Sequence, residues 1–375
     1  MRHVVMVLLC LLAAAPAAAQ RRGVNTGWRE VLHPDEHEAR LRIREGLSLL
    51  VQAMMRDEAA LGDAPDWLTL DHALLRFERA RRVLPDNVDL AFYTAWALSK
   101  WEREDRAGNP ERRDEEAIHA WHRVRELAPE RSPDLVASQL AMLHTRNHEL
   151  DLAIAEYERA LAHAGPAPLP VLYRAYLSTP IERALFSMQA RPRPALLHGN
   201  MAEVLMLAGA LDAAALHYRR SVELAADSPF ARVLAMWGLA LALERAGDHN
   251  GALEWADRAM NENPIGPDTP RGAALLRRHG AFAPLHVEDV FFEPRCELHA
   301  YEAIGHEAIA ARDVDPDPWA LQDALASWRS FLTEGGVQSR FGAQARARID
   351  ALEPQVEALG EREPTRRRPR LMLTP

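Results

Sequence analysis

A helical stencil recurs six times in this chain: a small residue, a bulky one four later, and another three beyond that. It reads Ala73–Phe77–Ala80, Ala117–Trp121–Val124, Ala153–Tyr157–Ala160, Ala214–Tyr218–Ser221, Ala252–Ala256–Ala259 and Ala324–Trp328–Phe331. Offsets of four and seven put all three residues on one face of an α-helix, so each copy marks a helix that buries a narrow stripe. Three copies are followed five residues later by Pro85, Pro129 or Pro264, which cannot continue a helix and mark its exit. Segments rich in Ala, Arg and Glu dominate, and alternating β-branched runs are short, so the expected class is all-α with no sheet.

Each copy has an earlier companion helix. Ala195–Leu207 carries Met201, Ala202 and Leu205 on one side and ends near Gly209; 38 residues on, Leu239, Ala240 and Leu243 precede a turn at Gly247. Before the Ala153 copy stand Leu140 and Ala141, with a turn near His148. These residues resemble the tetratricopeptide repeat family, in the secreted bacterial style. The match is good over Asp134–Ala164, Pro194–Ala226 and Pro229–Pro264, and looser over Leu90–Pro129 and Leu41–Pro85. The resemblance implies a right-handed α-solenoid of five to seven helix pairs, some degenerate. The chain departs from the family in its spacings of 44, 36, 61, 38 and 72, in His148 at a turn glycine's place, and in Ala256 at an aromatic's. A hairpin of two short helices, Leu169–Leu177 and one starting at Thr179-Pro180, is expected to fill the 61-residue gap.

The N-terminus reads as a secretory signal: Arg2, an apolar run from Val4 to Ala15, and small residues Ala17–Ala19 before Gln20. Cys10 lies inside the apolar run, which argues against lipidation. Cleavage would leave Cys296 as the one cysteine, unable to form an internal disulfide. No later stretch reaches the roughly twenty apolar residues of a membrane span, so no integral membrane protein is expected. The domain plan is then 1–19 signal, 20–40 extension, 41–264 helical array, 265–294 Pro/Gly-rich joint, 295–359 C-terminal helical module and 360–375 Arg-rich tail. The joint should contain a helix over Pro270–His279 and an apolar piece, Val287–Phe292, docked on a neighbouring helix pair. A last helix from Arg340 to Leu352 should stop or kink at Pro354. The expected place of work is outside the cytoplasm, in a periplasm or beyond it.

Catalytic patterns are absent from the sequence. His306-Glu307 and His148-Glu149 lack the second histidine of a zinc-hydrolase helix. The pairs His144/His148 and His33/His37, and the set His299/Glu302/His306, have helical spacing without a further ligand. There is no nucleophile elbow and no phosphate loop. No catalytic residue, metal or cofactor is therefore assigned. The net charge of −9, or −10 once Arg2 is removed, argues against nucleic acid as partner.

The family binds its ligands on the face made by the first helices of each pair. Carried over here, the resemblance implies a protein-binding groove lined by Ser138, Met142, Arg146, Glu203, Met206, Trp237, Leu241 and Glu244. Helical offsets agree, because these positions fall off the buried stripes of their own helices. Lys100 is the one lysine, which argues against the lysine-clamped chaperone-tail receptors of the family. The expected function is a non-catalytic scaffold or adaptor of the bacterial envelope that holds a peptide or protein segment. A structural envelope component, touching the envelope through Arg366–Arg370, is the alternative, and a cell-wall hydrolase is a third.

Overall fold

The computed structural model describes residues 33–59, 67–104, 110–165, 188, 191–287, 290, 292, 294–312 and 317–362. The signal, the helices expected after Leu169 and Thr179, and the tail beyond Arg362 lie outside them. The described residues form fourteen α-helices, and the fold is an all-α array of tetratricopeptide-like helix pairs. The chain divides into two compact units, residues 1–131 with 174–188, and residues 132–173 with 189–375. The boundary is thus at Arg131/Ser132, whereas the Pro/Gly-rich stretch, the expected joint, lies inside the second unit.

The first unit contains α1 (Pro34–Ala59), α2 (Trp67–Arg81), α3 (Val88–Lys100) and α4 (Asp114–Leu127). Consecutive helices pack on one another. Asn87 starts α3 by accepting a hydrogen bond from the Leu90 N–H at 2.8 Å, satisfying one of the free donors of a helix N-terminus. Phe92, Trp96 and Trp121 make an edge-on aromatic cluster, with Phe92 and Trp121 centroids 5.5 Å apart. The Trp121 indole donates to the Ser99 hydroxyl at 2.9 Å, which meets the polar demand of a buried ring. The expectation of no sheet fails here. Glu102–Glu104 (β1) and Pro110–Arg112 (β2) pair antiparallel. Opposed charges face each other across this ribbon, Glu102 with Arg112 at 2.8 Å and Arg103 with Glu111.

The second unit holds the pairs α5 (Pro133–Arg146)/α6 (Leu150–His163), α7 (Pro194–Ala208)/α8 (Leu211–Leu224), α9 (Pro229–Arg245)/α10 (His249–Asn261) and α12 (Glu297–Ala310)/α13 (Pro318–Thr333). Proline opens α5, α7, α9 and α13, where its missing N–H is no loss and its fixed φ suits the first turn. Gly209 and Gly247 close α7 and α9 at φ 83° and 88°, and His148 takes the same left-handed turn at φ 59°. The stencil stripes are buried in both units: Phe77, Trp121, Tyr157, Tyr218 and Trp328 all belong to the core.

Between α10 and α12 the chain makes α11 (Pro270–His279) and a 3-10 segment, Gly280–His286. Helix α11 covers the residues expected for it, capped by Thr269, whose hydroxyl accepts from the Gly272 N–H at 3.0 Å. The 3-10 segment packs on α9, α10 and α12. The last helix, α14 (Gly342–Arg362), runs through Pro354 instead of ending there. Pro354 and Asp350 are both exposed, so water can hydrate the carbonyl that the proline leaves unbonded.

Candidate functional site

The second unit has a cavity of about 160 Å³ on the first-helix face of α7, α9 and α12. Helix α7 presents Leu196, Gly199, Asn200 and Glu203 to it, at offsets 0, 3, 4 and 7, which is one helical face. Helix α9 adds Leu234, Trp237 and Gly238; α8 adds Tyr218; and α12 adds Tyr301. Leu285, Val290 and Phe292, from the segment that follows α11, complete the wall.

Two close approaches build this arrangement. A methyl group on Gly238 would stand 2.1 Å from the Tyr218 ring, so only a bare backbone lets that ring cross α9 toward α7. On Gly305, a methyl group would stand 2.3 Å from Phe282 and 2.8 Å from Trp237. That gap lets Phe282 lie against the Trp237 indole, centroids 5.8 Å apart. The Phe292 ring packs on Tyr301 at 5.4 Å.

Glu203 is the charged group of the cavity. The hydroxyls of Tyr218 and Tyr301 both donate to its Oε2, Tyr301 at 3.0 Å. Burial pushes its carboxyl above the usual range, against the hydrogen bond from Tyr218. Burial, followed by the nearby Glu203 charge, raises both tyrosines well above theirs. The Glu297 charge also raises Glu203 and Arg245 lowers it, while Arg245 Nη2 donates to Glu297 in a buried ion pair. The Trp237 indole Nε1 has no hydrogen-bond partner.

The expected groove residues separate into three sets. Glu203 and Trp237 line the cavity. Trp237 is only 1% exposed, however, because Phe282 covers it. Met206, Leu241 and Glu244 are buried as well, which corrects their assignment to an open groove. Leu241 belongs to a helix flanked by α8, α10, α12 and the 3-10 segment, so that both its faces meet protein. Glu244 is covered by α14: Gln344 donates to its backbone carbonyl, and Arg348 Nε lies 3.6 Å from its Oε1. His249 Nδ1 lies 2.6 Å from Glu244 Oε2, and Arg348 pairs onward with Glu307. Ser138, Met142 and Arg146 are half-buried on α5, away from the cavity wall.

The histidine candidates are held by carboxylates or by packing. His144 Nδ1 is 2.6 Å from Glu149, while His299 and His286 both bind Glu302 at 3.1 Å. His306 packs on Phe282. His33 serves through its backbone carbonyl, which accepts from the His37 N–H. Among the described residues no group of three or more His, Cys, Asp or Glu could hold a metal ion. Asn200, Tyr301 and Phe292 were not foreseen as site residues. Tyr301 shares the His299/Glu302 segment, so its helix was visible, but its reach to α7 is a long-range fact. Tyr218 belongs to a stencil stripe, and it serves both the core and the cavity wall.

No protein-family model and no curated protein matches the chain. Among solved structures it is similar to the MamA protein, at 15% identity over 58% of this chain and 92% of that one, with a TM-score of 0.38. It is similar to the TPR2AB domain of yeast Sti1 in its pHSP90 complex, at 14% identity over 85% of this chain and 98% of that one, with a TM-score of 0.24. The P58(IPK) TPR domain is another, at 12% identity over 84% and 99%, with a TM-score of 0.23. Among the described residues no helix is long and apolar enough to cross a membrane.

Proposed function

We propose that this chain is a non-catalytic protein-interaction scaffold whose first-helix face holds an irregular segment of a partner protein. One observation carries the reading. That face, on α9 and α12, already receives a non-α-helical stretch of the chain itself, anchored by Phe282 on Trp237 and by Phe292 on Tyr301. A surface that seats its own irregular segment through aromatic anchors has the chemistry to seat another beside it. The cavity between these anchors and α7 is the place left for it.

The export signal read at Arg2–Ala19 supports a site of action in the bacterial envelope. N-terminal sequencing of protein from envelope fractions is expected to begin near Gln20, and intact Met1 in the cytosol would contradict export. The binding reading is tested with a photo-crosslinking residue at Asn200, which lines the cavity and is exposed. The expected product joins the chain to one discrete partner in living cells. Crosslinks confined to residues 280–292 of the same chain would show the face to be closed to partners.

A further inference from the structure

The cavity pairs a carboxyl group that has no ion-pair partner of its own with aromatic walls. Taking a carboxylate out of water is costly unless a counter-charge or several hydrogen bonds replace the lost hydration. Glu203 has two hydroxyl donors, and both address Oε2. The guanidinium that acts on it, Arg245, is held by Glu297. The same wall carries Tyr218, Trp237, Phe292 and Tyr301. Aromatic faces are electron-rich and attract cations, most strongly where water is excluded. An anion would find no counter-charge in this lining, whereas a cation gains both the rings and the ionised form of Glu203.

We propose that this cavity seats one organic cation, an alkylammonium or guanidinium group, on the Glu203 carboxyl within its aromatic lining. A volume of about 160 Å³ holds roughly five water-sized groups, which suits a short amine or the end of a lysine or arginine side chain and little more. The seat goes beyond the scaffold reading, because a free amine fills it as readily as the side chain of a bound segment. Burial favours the neutral form of Glu203, so seating a cation also ionises this carboxyl, and binding should strengthen as pH rises.

Ligand-observed NMR titrations of the purified chain test this with butylammonium, methylguanidinium, Nα-acetyl-lysine-N-methylamide and, as the uncharged counterpart, 1-butanol. Saturable binding of at least one cation is expected, with none for 1-butanol. Glu203→Gln keeps an acceptor for both tyrosines and should weaken the cation by roughly tenfold or more. Asn200→Asp places a second carboxylate in the wall and should tighten it several-fold, an independent check if the first variant does not fold. Tighter binding of the capped lysine than of butylammonium would identify a peptide side chain as the source, and equal binding a free amine. No binding by any cation, equal binding of 1-butanol, or an unchanged Glu203→Gln titration would overturn the proposal. If cations bind while the Asn200 crosslinker finds no partner, the seat stands and the scaffold reading falls.

Discussion

His198 and His217 face each other across the α7/α8 pair with their Nδ1 atoms 3.0 Å apart. Burial first, then repulsion from His217 and Arg220, pushes His198 down to about 4. His217 is also lowered by burial, against the attraction of Glu158. In the unfolded chain both imidazoles titrate near 6.5, so between that value and about 4 the unfolded state binds more protons. Stability should therefore fall as pH drops through this window and be fully present above it. Melting temperatures measured from pH 7 to 4.5 should decline less steeply for His198→Gln than for the parent chain; parallel curves would contradict the assignment. Cys296 is similarly defined by its surroundings. It is buried at the start of α12, and burial, helped by the Glu297 charge, raises its thiol to about 11. Native protein should resist alkylation at pH 7.5 and react on unfolding, as mass spectrometry would show. Prompt labelling of the native chain would mean that the α12 start opens readily.

At the level of elements, the stencil residues were legible because they are local. A stripe four and seven residues long reports one helix and its nearest neighbour, and every copy is buried where expected. The groove residues were not legible for the opposite reason. Trp237, Leu241 and Glu244 lie off the stripe of α9, which by local logic should face solvent. Phe282 covers Trp237 and α14 covers Glu244, at 45 and about 100 residues' remove, while Leu241 is enclosed by the helices flanking α9. Nothing in the α9 sequence announces that a Pro/Gly-rich insertion will fold back on it. The two glycines of this region separate packing from backbone strain. Gly247 has free space around it but sits at φ 88°, so Gly247→Ala should cost about 1 kcal/mol, by conformation alone. Gly238 lies in helical backbone, where alanine is intrinsically favoured, yet its new methyl would drive into Tyr218. Gly238→Ala should therefore destabilise by roughly 1–3 kcal/mol and disturb the hydroxyl on Glu203. Chemical denaturation of both variants gives the comparison, and a stabilised Gly238→Ala would show that Tyr218 can move aside at no cost.

On the scale of the whole molecule, the division into two compact units has a thermodynamic consequence. In an array of helix pairs each pair is stabilised by its neighbours, so cooperativity extends as far as the packing is continuous. Within the second unit that continuity is reinforced by non-sequential ties: Tyr301 of α12 donates to Glu203 of α7, and Arg348 of α14 pairs with Glu307 of α12. Arg340, just before α14, donates to the Ala208 carbonyl at the C-terminal end of α7, where a guanidinium suits the negative end of the helix dipole. These contacts span about 40 to 130 residues of sequence, and they tie α7, α12 and α14 together across the helices that lie between them in the chain. The first unit relies on its own aromatic cluster at Phe92, Trp96 and Trp121. Calorimetry should therefore resolve two transitions. Phe282→Ala, which empties the space over Trp237, should cost about 3–5 kcal/mol and lower the melting temperature of the second unit's transition. The transition of the first unit should stay within a degree or so of its parent value, because no side chain in it changes. A single transition that shifts as a whole with Phe282→Ala would show instead that the chain unfolds as one cooperative body, with Arg131/Ser132 no boundary in energy.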